Sequence, residues 1–160
     1  MDKNRGFTLI EFIVVISIAL LFLGVTLPRY NDYGSQLKLK NDAKKLVDVF
    51  ELAKKKALSG DLYDKNCSDF TGYRTTIVGG TAYSLNFCCS GSCTSVQEYN
   101  LSSEVAFSSG IGNYNFTPLM IYPNFVSNTI RLRNSIINKC IDISISPIGV
   151  IELNETLISC

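Results

Sequence analysis

The chain has 160 residues, a formal net charge of +1, six cysteines and no histidine. Without histidine it cannot form a Ser-His or Cys-His catalytic pair, or a zinc site that uses histidine. The net charge is close to zero, so composition alone does not indicate an acidic partner. The length leaves room for one modest domain beyond the N-terminal segments.

The N-terminus joins a short basic segment to a long apolar one. Lys3 and Arg5 precede Gly6, and residues 7–27 carry a single charge, that of Glu11. As a helix this run is about 30 Å long, which is enough to cross the hydrocarbon core of a bilayer. The basic residues predict a cytoplasmic N-terminus with the remainder of the chain outside. A carboxylate within such a run costs about 3 kcal/mol or more in lipid, so Glu11 is a candidate functional residue.

A secretory signal peptide is the alternative interpretation of this run. Such a peptide is cut after its apolar region, beside small residues in an A-x-A-like pattern. Here Pro28, Arg29 and Tyr30 follow the run, whereas a small residue, Gly6, lies at the boundary that precedes it. The sequence therefore favours cleavage before the apolar run.

Residues 6–11, Gly-Phe-Thr-Leu-Ile-Glu, resemble the processing site of type IV prepilins and type II secretion pseudopilins. The resemblance implies that prepilin peptidase cuts after Gly6, that Phe7 becomes an N-methylated N-terminus, and that Glu11 acts in assembly. It also implies a helix bend at Pro28, a single pass through the inner membrane, and other pilin or pseudopilin subunits as partners.

The chemistry of Glu11 agrees with that role. An unpaired carboxylate in lipid should take up a proton or find a cation. Cleavage after Gly6 creates an amine at Phe7, one helical turn from Glu11 and within reach on the same or a neighbouring helix. Docking of a new subunit would then neutralise a charge already held in the membrane.

Residues 28–60 continue the helix with an amphipathic pattern. The apolar residues follow the i, i+3, i+4, i+7 spacing of one helical stripe: Leu39, Ala43, Leu46, Val47, Phe50, Ala53 and Ala57. Lysines fall mostly on the opposite side, which is typical of a solvated face rather than a nucleic-acid patch. Gly60 suits a left-handed cap. The sequence predicts one long helix over residues 7–59.

Beyond a polar loop at residues 60–72, the pattern is that of β-strands. We predict strands at residues 73–78, 81–88, 96–101, 105–108, 130–134, 140–146 and 149–153, with a Gly79-Gly80 turn in the first hairpin. Pro118 interrupts a further candidate at residues 116–122, which predicts an edge strand. Alternation at 140–146 places Cys140 and Asp142 on one face and the isoleucines on the other.

The predicted fold class is α+β, and the resemblance implies a pilin fold in which the long N-terminal helix packs on an antiparallel β-sheet head. The chain then divides into a leader at residues 1–6, a transmembrane and assembly helix at 7–27, its amphipathic continuation at 28–60, and a disulfide-bonded head at 61–160.

Outside the cytoplasm, six cysteines in a small domain predict three disulfides. A Cys140–Cys160 bond would close a loop of about twenty residues and stabilise the head by about 3 kcal/mol. The remaining cysteines are Cys67, Cys88, Cys89 and Cys93. Because adjacent cysteines rarely bridge each other, two sets stay open: 67–88 with 89–93, or 67–89 with 88–93.

We expect neither a metal nor a cofactor. The cysteines at residues 88–93 have no second pair at C-x-x-C spacing, which disfavours a soft-metal cluster. Asp61, Asp64 and Asp69 lie in one loop and could ligate calcium, but their spacing matches no EF-hand. A solvated loop is the simpler interpretation.

Two further stretches narrow the family. Residues 42–60 and 140–149 resemble the second half of the helix and the closing hairpin of GspH/FimT-type minor pseudopilins. DNA-binding members of the FimT branch carry arginines just past the glycine that corresponds to Gly149. Here Val150, Ile151 and Glu152 follow it, which argues against DNA uptake.

The sequence thus predicts a structural, non-enzymatic minor subunit of a type IV pilus or type II secretion pseudopilus. There is no GxSxG motif that would indicate a hydrolase, and no histidine. The alternative is a filament-borne binding module, an adhesin or a DNA-uptake receptor. Its weak candidate patch is Arg131, Arg133 and Lys139, within a head of net negative charge, so no nucleic-acid partner is expected.

Overall fold

The computed structural model describes residues 8–63, 66–118 and 128–160, apart from the side chains of residues 24–30 and 128. It divides into two compact units whose boundary lies between Gly34 and Ser35. The first unit contains the N-terminal part of a long helix. The second unit, the head, contains the remainder of that helix and eight strands within the described ranges.

The helix, α1, spans Leu9–Leu58, so the predicted helix is confirmed to within two residues at each end. It ends at a left-handed glycine, because Gly60 has φ +64°. The Asp61 N–H donates to the Lys56 carbonyl at 3.1 Å and the Gly60 N–H donates to the Ala57 carbonyl at 3.2 Å. This pair of bonds satisfies the last carbonyls of the helix, as the predicted cap requires. Pro28 lies within α1, and the bend there stays a prediction.

The strands form two antiparallel sheets of four. The first sheet contains β1 (Phe70–Gly79), β2 (Ala82–Cys89), β3 (Ser92–Asn100) and β5 (Gly112–Phe116), in the spatial order β3-β2-β1-β5. The second sheet contains β4 (Val105–Ser109), β6 (Asn128–Asn134), β7 (Lys139–Ile145) and β8 (Ile151–Ser159), in the order β4-β6-β7-β8. The α+β class with a helix packed on antiparallel sheets is confirmed.

The head differs from the predicted one in several details. It has two sheets, where the sequence predicted one. A strand was expected at residues 116–122, but β5 spans Gly112–Phe116. Its buried residues are Tyr114 and Phe116, which face the core. Residues 119–122 lie outside the described chain. The first hairpin turns at residues 80–81, since Gly79 pairs with Ala82. Strand β8 continues past residue 153 to Ser159.

One hydrophobic core joins the helix to both sheets. The predicted stripe of α1 is buried, apart from Val47, which is only partly buried. Val49, which the prediction did not include, is buried with the stripe. Phe50 makes edge contacts with two aromatic rings of the first sheet, Tyr114 at 5.1 Å and Phe116 at 6.2 Å between centroids. The second sheet contributes chiefly Ile130, Leu132, Ile141, Ile143 and Ile145, all with no exposed surface. The head is therefore built around the helix segment that follows Gly34.

Polar contacts fix the connection between β3 and β4 to the helix. The carboxylate of Asp42, which is buried, accepts a hydrogen bond from the Ser102 N–H at 2.8 Å. Glu104 accepts from Lys38 Nζ at 2.5 Å and from Ser35 Oγ at 3.1 Å. The bond from Lys38 is the main reason that the pKa of Glu104 lies below its ordinary value. These contacts attach the connection between the two sheets to α1.

Two adjacent threonines of β1 face opposite sides of the first sheet. Thr75 points into the core with no exposed surface, and its hydroxyl has no hydrogen-bond partner among the described residues. The Thr76 hydroxyl donates to Asn113 Oδ1 at 2.8 Å and accepts from Asn86 Nδ2 at 3.0 Å. The pair offers a matched comparison of an unsatisfied and a satisfied hydroxyl.

Thr75→Val should raise the free energy of unfolding by about 1 kcal/mol, because it removes a buried hydroxyl that has lost its water without gaining a partner. Thr76→Val should lower it by about the same amount, because it breaks two hydrogen bonds. Urea unfolding of the full chain in detergent micelles, followed by circular dichroism, measures both. Equal destabilisation by the two variants would contradict the assignment of Thr75 as unsatisfied.

Candidate functional site: the N-terminal segment of the helix

Thr8 and Glu11 cap the start of the helix reciprocally. The Thr8 N–H donates to Glu11 Oε2 at 3.1 Å, and the Glu11 N–H donates to Thr8 Oγ1 at 3.3 Å. The Thr8 hydroxyl also donates to Glu11 Oε2, at 3.0 Å. This arrangement is a capping box, which satisfies two backbone donors that a helix start leaves open. It holds the Glu11 carboxylate at the N-terminal end of α1.

The sequence analysis did not identify Thr8 as a functional residue. The signal was present, since Thr8-Leu9-Ile10-Glu11 has the spacing of a capping box directly before an apolar run. The carboxylate therefore has a structural role at the helix start in addition to any role between subunits.

The segment that follows is apolar and exposed. Every residue from 8 to 23 is exposed, including Leu9 at 80% and Leu21 at 72%. A contiguous apolar surface of this kind usually marks a site of contact with another protein or with lipid. Ser17 satisfies its hydroxyl locally, by donating to the Ile13 carbonyl at 2.8 Å.

Within the described residues, no helix is long and apolar enough to cross a membrane. Gly6 and Phe7, the predicted processing residues, lie outside the described residues. Of the predicted N-terminal site, the structure thus describes Glu11 with its partner Thr8 and places Pro28 in the helix backbone.

All six cysteines are in disulfides. Cys140 bonds to Cys160, and the other four form the second of the two sets that the sequence left open, 67–89 with 88–93. Cys88 and Cys93 are direct register partners on β2 and β3, which explains their pairing. Cys140 was expected on the face of Asp142, opposite the core isoleucines, but it is buried and bonded to Cys160.

Each cation of the candidate basic patch has its own partner, and that of Arg131 is a carboxylate. Arg131 Nε and Nη2 donate to the two carboxylate oxygens of Asp142 at 2.7 and 2.8 Å, and this partner raises the pKa of the Arg131 guanidinium. Arg133 Nη2 donates to Asn138 Oδ1 at 2.9 Å, and Lys139 Nζ donates to Ser159 Oγ at 3.4 Å. The three cations thus contact three different partners.

The acidic loop forms no calcium site in the described residues. Asp61 pairs with Lys56 and accepts the Tyr63 N–H at 2.9 Å, and these two contacts lower the pKa of its carboxyl. Asp64 lies outside the described residues. No group of three or more acidic, cysteine or histidine side chains with metal-binding geometry occurs among those described.

Comparison with known proteins supports the interpretation of the N-terminus. Residues 1–27 match the family model described as the prokaryotic N-terminal methylation motif. Neither the curated proteins nor the solved structures give a significant match. The motif supports a type IV pilin-like protein, processed by prepilin peptidase and assembled with other pilins, in a class that is structural rather than enzymatic.

Thr8→Ala should weaken the helix start by about 1 kcal/mol, because it removes the side chain that caps Glu11. Hydrogen exchange at the Glu11 and Phe12 amides should then quicken about fivefold in detergent micelles. Ser17→Ala is the control, since its hydroxyl contacts the helix backbone away from the cap. Unchanged exchange at both amides in Thr8→Ala would contradict the capping role.

Proposed function

We propose that this chain is a minor subunit of a type IV pilus or a type II secretion pseudopilus. Prepilin peptidase cuts it after Gly6 and the new N-terminus at Phe7 is methylated. Before assembly the protein resides in the inner membrane as a single-pass subunit, with its N-terminus cytoplasmic and its head outside. It then enters the filament through its N-terminal helix.

One observation carries this proposal: a carboxylate fixed at the very start of an exposed apolar helix, inside the N-terminal methylation motif. Residues 9–21 expose apolar side chains around the whole helix rather than along one stripe. Such a surface suits lipid before assembly and the helices of neighbouring subunits afterwards. Glu11 is the one ionisable residue in that stretch, so it is the point where charge can direct the assembly.

The cap suggests how Glu11 could serve two partners. Both described hydrogen bonds to its carboxylate end on Oε2, and Oε1 accepts none from the described residues. We propose that this second oxygen accepts from the amine that cleavage creates at Phe7 of an incoming subunit. Such an ion pair gains strength in lipid because the surroundings screen it weakly. The helix that docks would thereby neutralise a charge that is costly to leave alone.

The hairpin of β7 and β8 supports the GspH/FimT-type assignment. Its turn has the expected Ser-Pro-x-Gly form, closed by the Gly149 N–H donating to the Ser146 carbonyl at 2.9 Å. Gly149 has φ +76°, which explains the glycine at this position. The turn is further fixed by Lys54 of α1, whose Nζ donates to the Gly149 carbonyl at 2.7 Å.

We do not advance a DNA-uptake role. Binding to DNA depends on several cations that contact phosphates together. In the candidate patch, Asp142 offsets the charge of Arg131, and Arg133 and Lys139 contact neutral partners of their own. The charge of the remaining head is net negative, so the surface offers no collective attraction for a polyanion.

Glu11→Ala should be processed and reach the membrane normally, yet its incorporation into filaments should fall at least about tenfold, the loss expected when a buried charge pair of 1.5 kcal/mol or more is removed. Immunoblots of sheared filaments and of membranes, in cells that carry the cognate assembly system, give the two fractions. Asp32→Ala is the control, because Asp32 is an exposed acid of α1 beyond the apolar run. Wild-type incorporation of Glu11→Ala would overturn the proposal.

A further inference from the structure

The head contains a cavity that the assembly function does not use. It lies at one end of the first sheet, has a volume of about 220 Å³, and is lined by side chains of β1 and β5 and by the β2–β3 hairpin. Its polar side chains include Arg74, Asn115 and Thr117, and the Cys88–Cys93 disulfide forms part of its wall. All of these residues belong to the same compact unit.

Arg74 is positioned in this cavity by one neutral contact. Its Nε donates to Asn115 Oδ1 at 2.5 Å, and the two residues are register partners on β1 and β5. No carboxylate among the described residues pairs with Arg74, in contrast to Arg131 on the second sheet. The contact orients the guanidinium through Nε and leaves its two Nη groups able to donate. It also occupies the Asn115 oxygen, so that the Asn115 amide group can donate as well.

Thr117 supplies an unsatisfied polar atom to the same cavity. Its Oγ1 is buried and has no hydrogen-bond partner among the described residues. A buried hydroxyl without a partner destabilises a protein by about 1–3 kcal/mol. In Thr75 this cost occurs within the core, where a ligand has no access. In Thr117 it occurs in the wall of a cavity that contains an arginine.

The backbone around the cavity is held in place. Strand β1 has a register irregularity between Phe70 and Gly72. A Cβ atom at Gly72 would lie 2.0 Å from the Phe116 carbonyl oxygen, so only glycine allows β5 to approach β1 here. The disulfide between Cys88 and Cys93 joins β2 to β3 in the part of the wall next to Gly72, since Gly72 pairs with Cys88. A preformed cavity of this kind loses little entropy when it binds a ligand.

We propose that this cavity binds a carboxylate group, from an acidic side chain of a protein partner or from an acidic sugar. The polar side chains named above offer donors, and no Asp or Glu is among the described residues that line the cavity. An arginine that is not already paired is suited to a carboxylate because its N–H groups match the two oxygens. The Thr117 hydroxyl would gain the acceptor that it lacks. The inference concerns the head alone and does not depend on the filament function.

Saturation-transfer NMR on the full chain in detergent micelles tests the proposal with two probes. N-acetylglutamate amide represents an acidic side chain, and glucuronate represents an acidic sugar. N-acetylglutamine amide and glucose are their neutral counterparts. We expect saturable binding of at least one acidic probe, with a Kd on the order of 1 mM, and no comparable binding of its neutral counterpart.

Variants assign the binding to the cavity. Arg74→Gln should weaken it at least about tenfold, since it removes a charge-assisted contact. Arg133→Gln is the matched control, because Arg133 lies on the second sheet, and should bind as the wild type does. Thr117→Val should weaken binding about threefold and yet raise the melting temperature of the free protein, because the unsatisfied hydroxyl is gone. A residue with a purely structural role would not show these opposite effects.

Each outcome decides the proposal. Binding of N-acetylglutamate amide alone indicates a protein partner, binding of glucuronate alone indicates an acidic sugar, and binding of both supports a carboxylate site of either source. The proposal is overturned if both acidic probes bind with a Kd more than about 20-fold above the expected value. It is also overturned if the neutral counterparts bind equally well. Binding that Arg74→Gln leaves unchanged would overturn it too.

Discussion

The burial of one helical face against two sheets is the interaction on which the head depends. From Leu39 to Ala57 the stripe of α1 lies in a core shared with both sheets, and Phe50 is near its centre. Because the sheets do not pair with each other through a common strand, the helix and the connections between strands are what hold them together. That stripe is buried within the subunit, whereas the apolar residues of 9–21 are exposed and available for contacts outside it.

Much of the fold could be predicted from the sequence because its signals are local. The 3.6-residue spacing gave the helix, Gly60 gave its end, and alternation gave most strands. Strand β5 was not predicted at its observed position because its Gly and Asn residues are poor strand formers. In the structure, burial of Tyr114 and Phe116 overrides that preference. The division into two sheets was not predicted for a different reason, because it depends on pairing between strands that are distant in sequence, such as β1 and β5.

The candidate sites were predictable to the same local extent. Glu11 stands out as a charge in an apolar run, and its cap by Thr8 is readable three residues away. The disulfide partner of Cys88 needed the β2–β3 register, which no spacing rule supplies. The cavity at Arg74 was beyond sequence reasoning, because Asn115 and Thr117 reach it from more than forty residues along the chain through strand pairing.

The central claim, that the chain is processed as a prepilin, can be tested most directly at its N-terminus. Intact-mass and N-terminal peptide mass spectrometry of protein purified from membranes of its native host would give the first residue. The account predicts a chain that begins at Phe7 and carries one additional methyl group on its amine. An unprocessed N-terminus at Met1, or cleavage beyond residue 27, would contradict it.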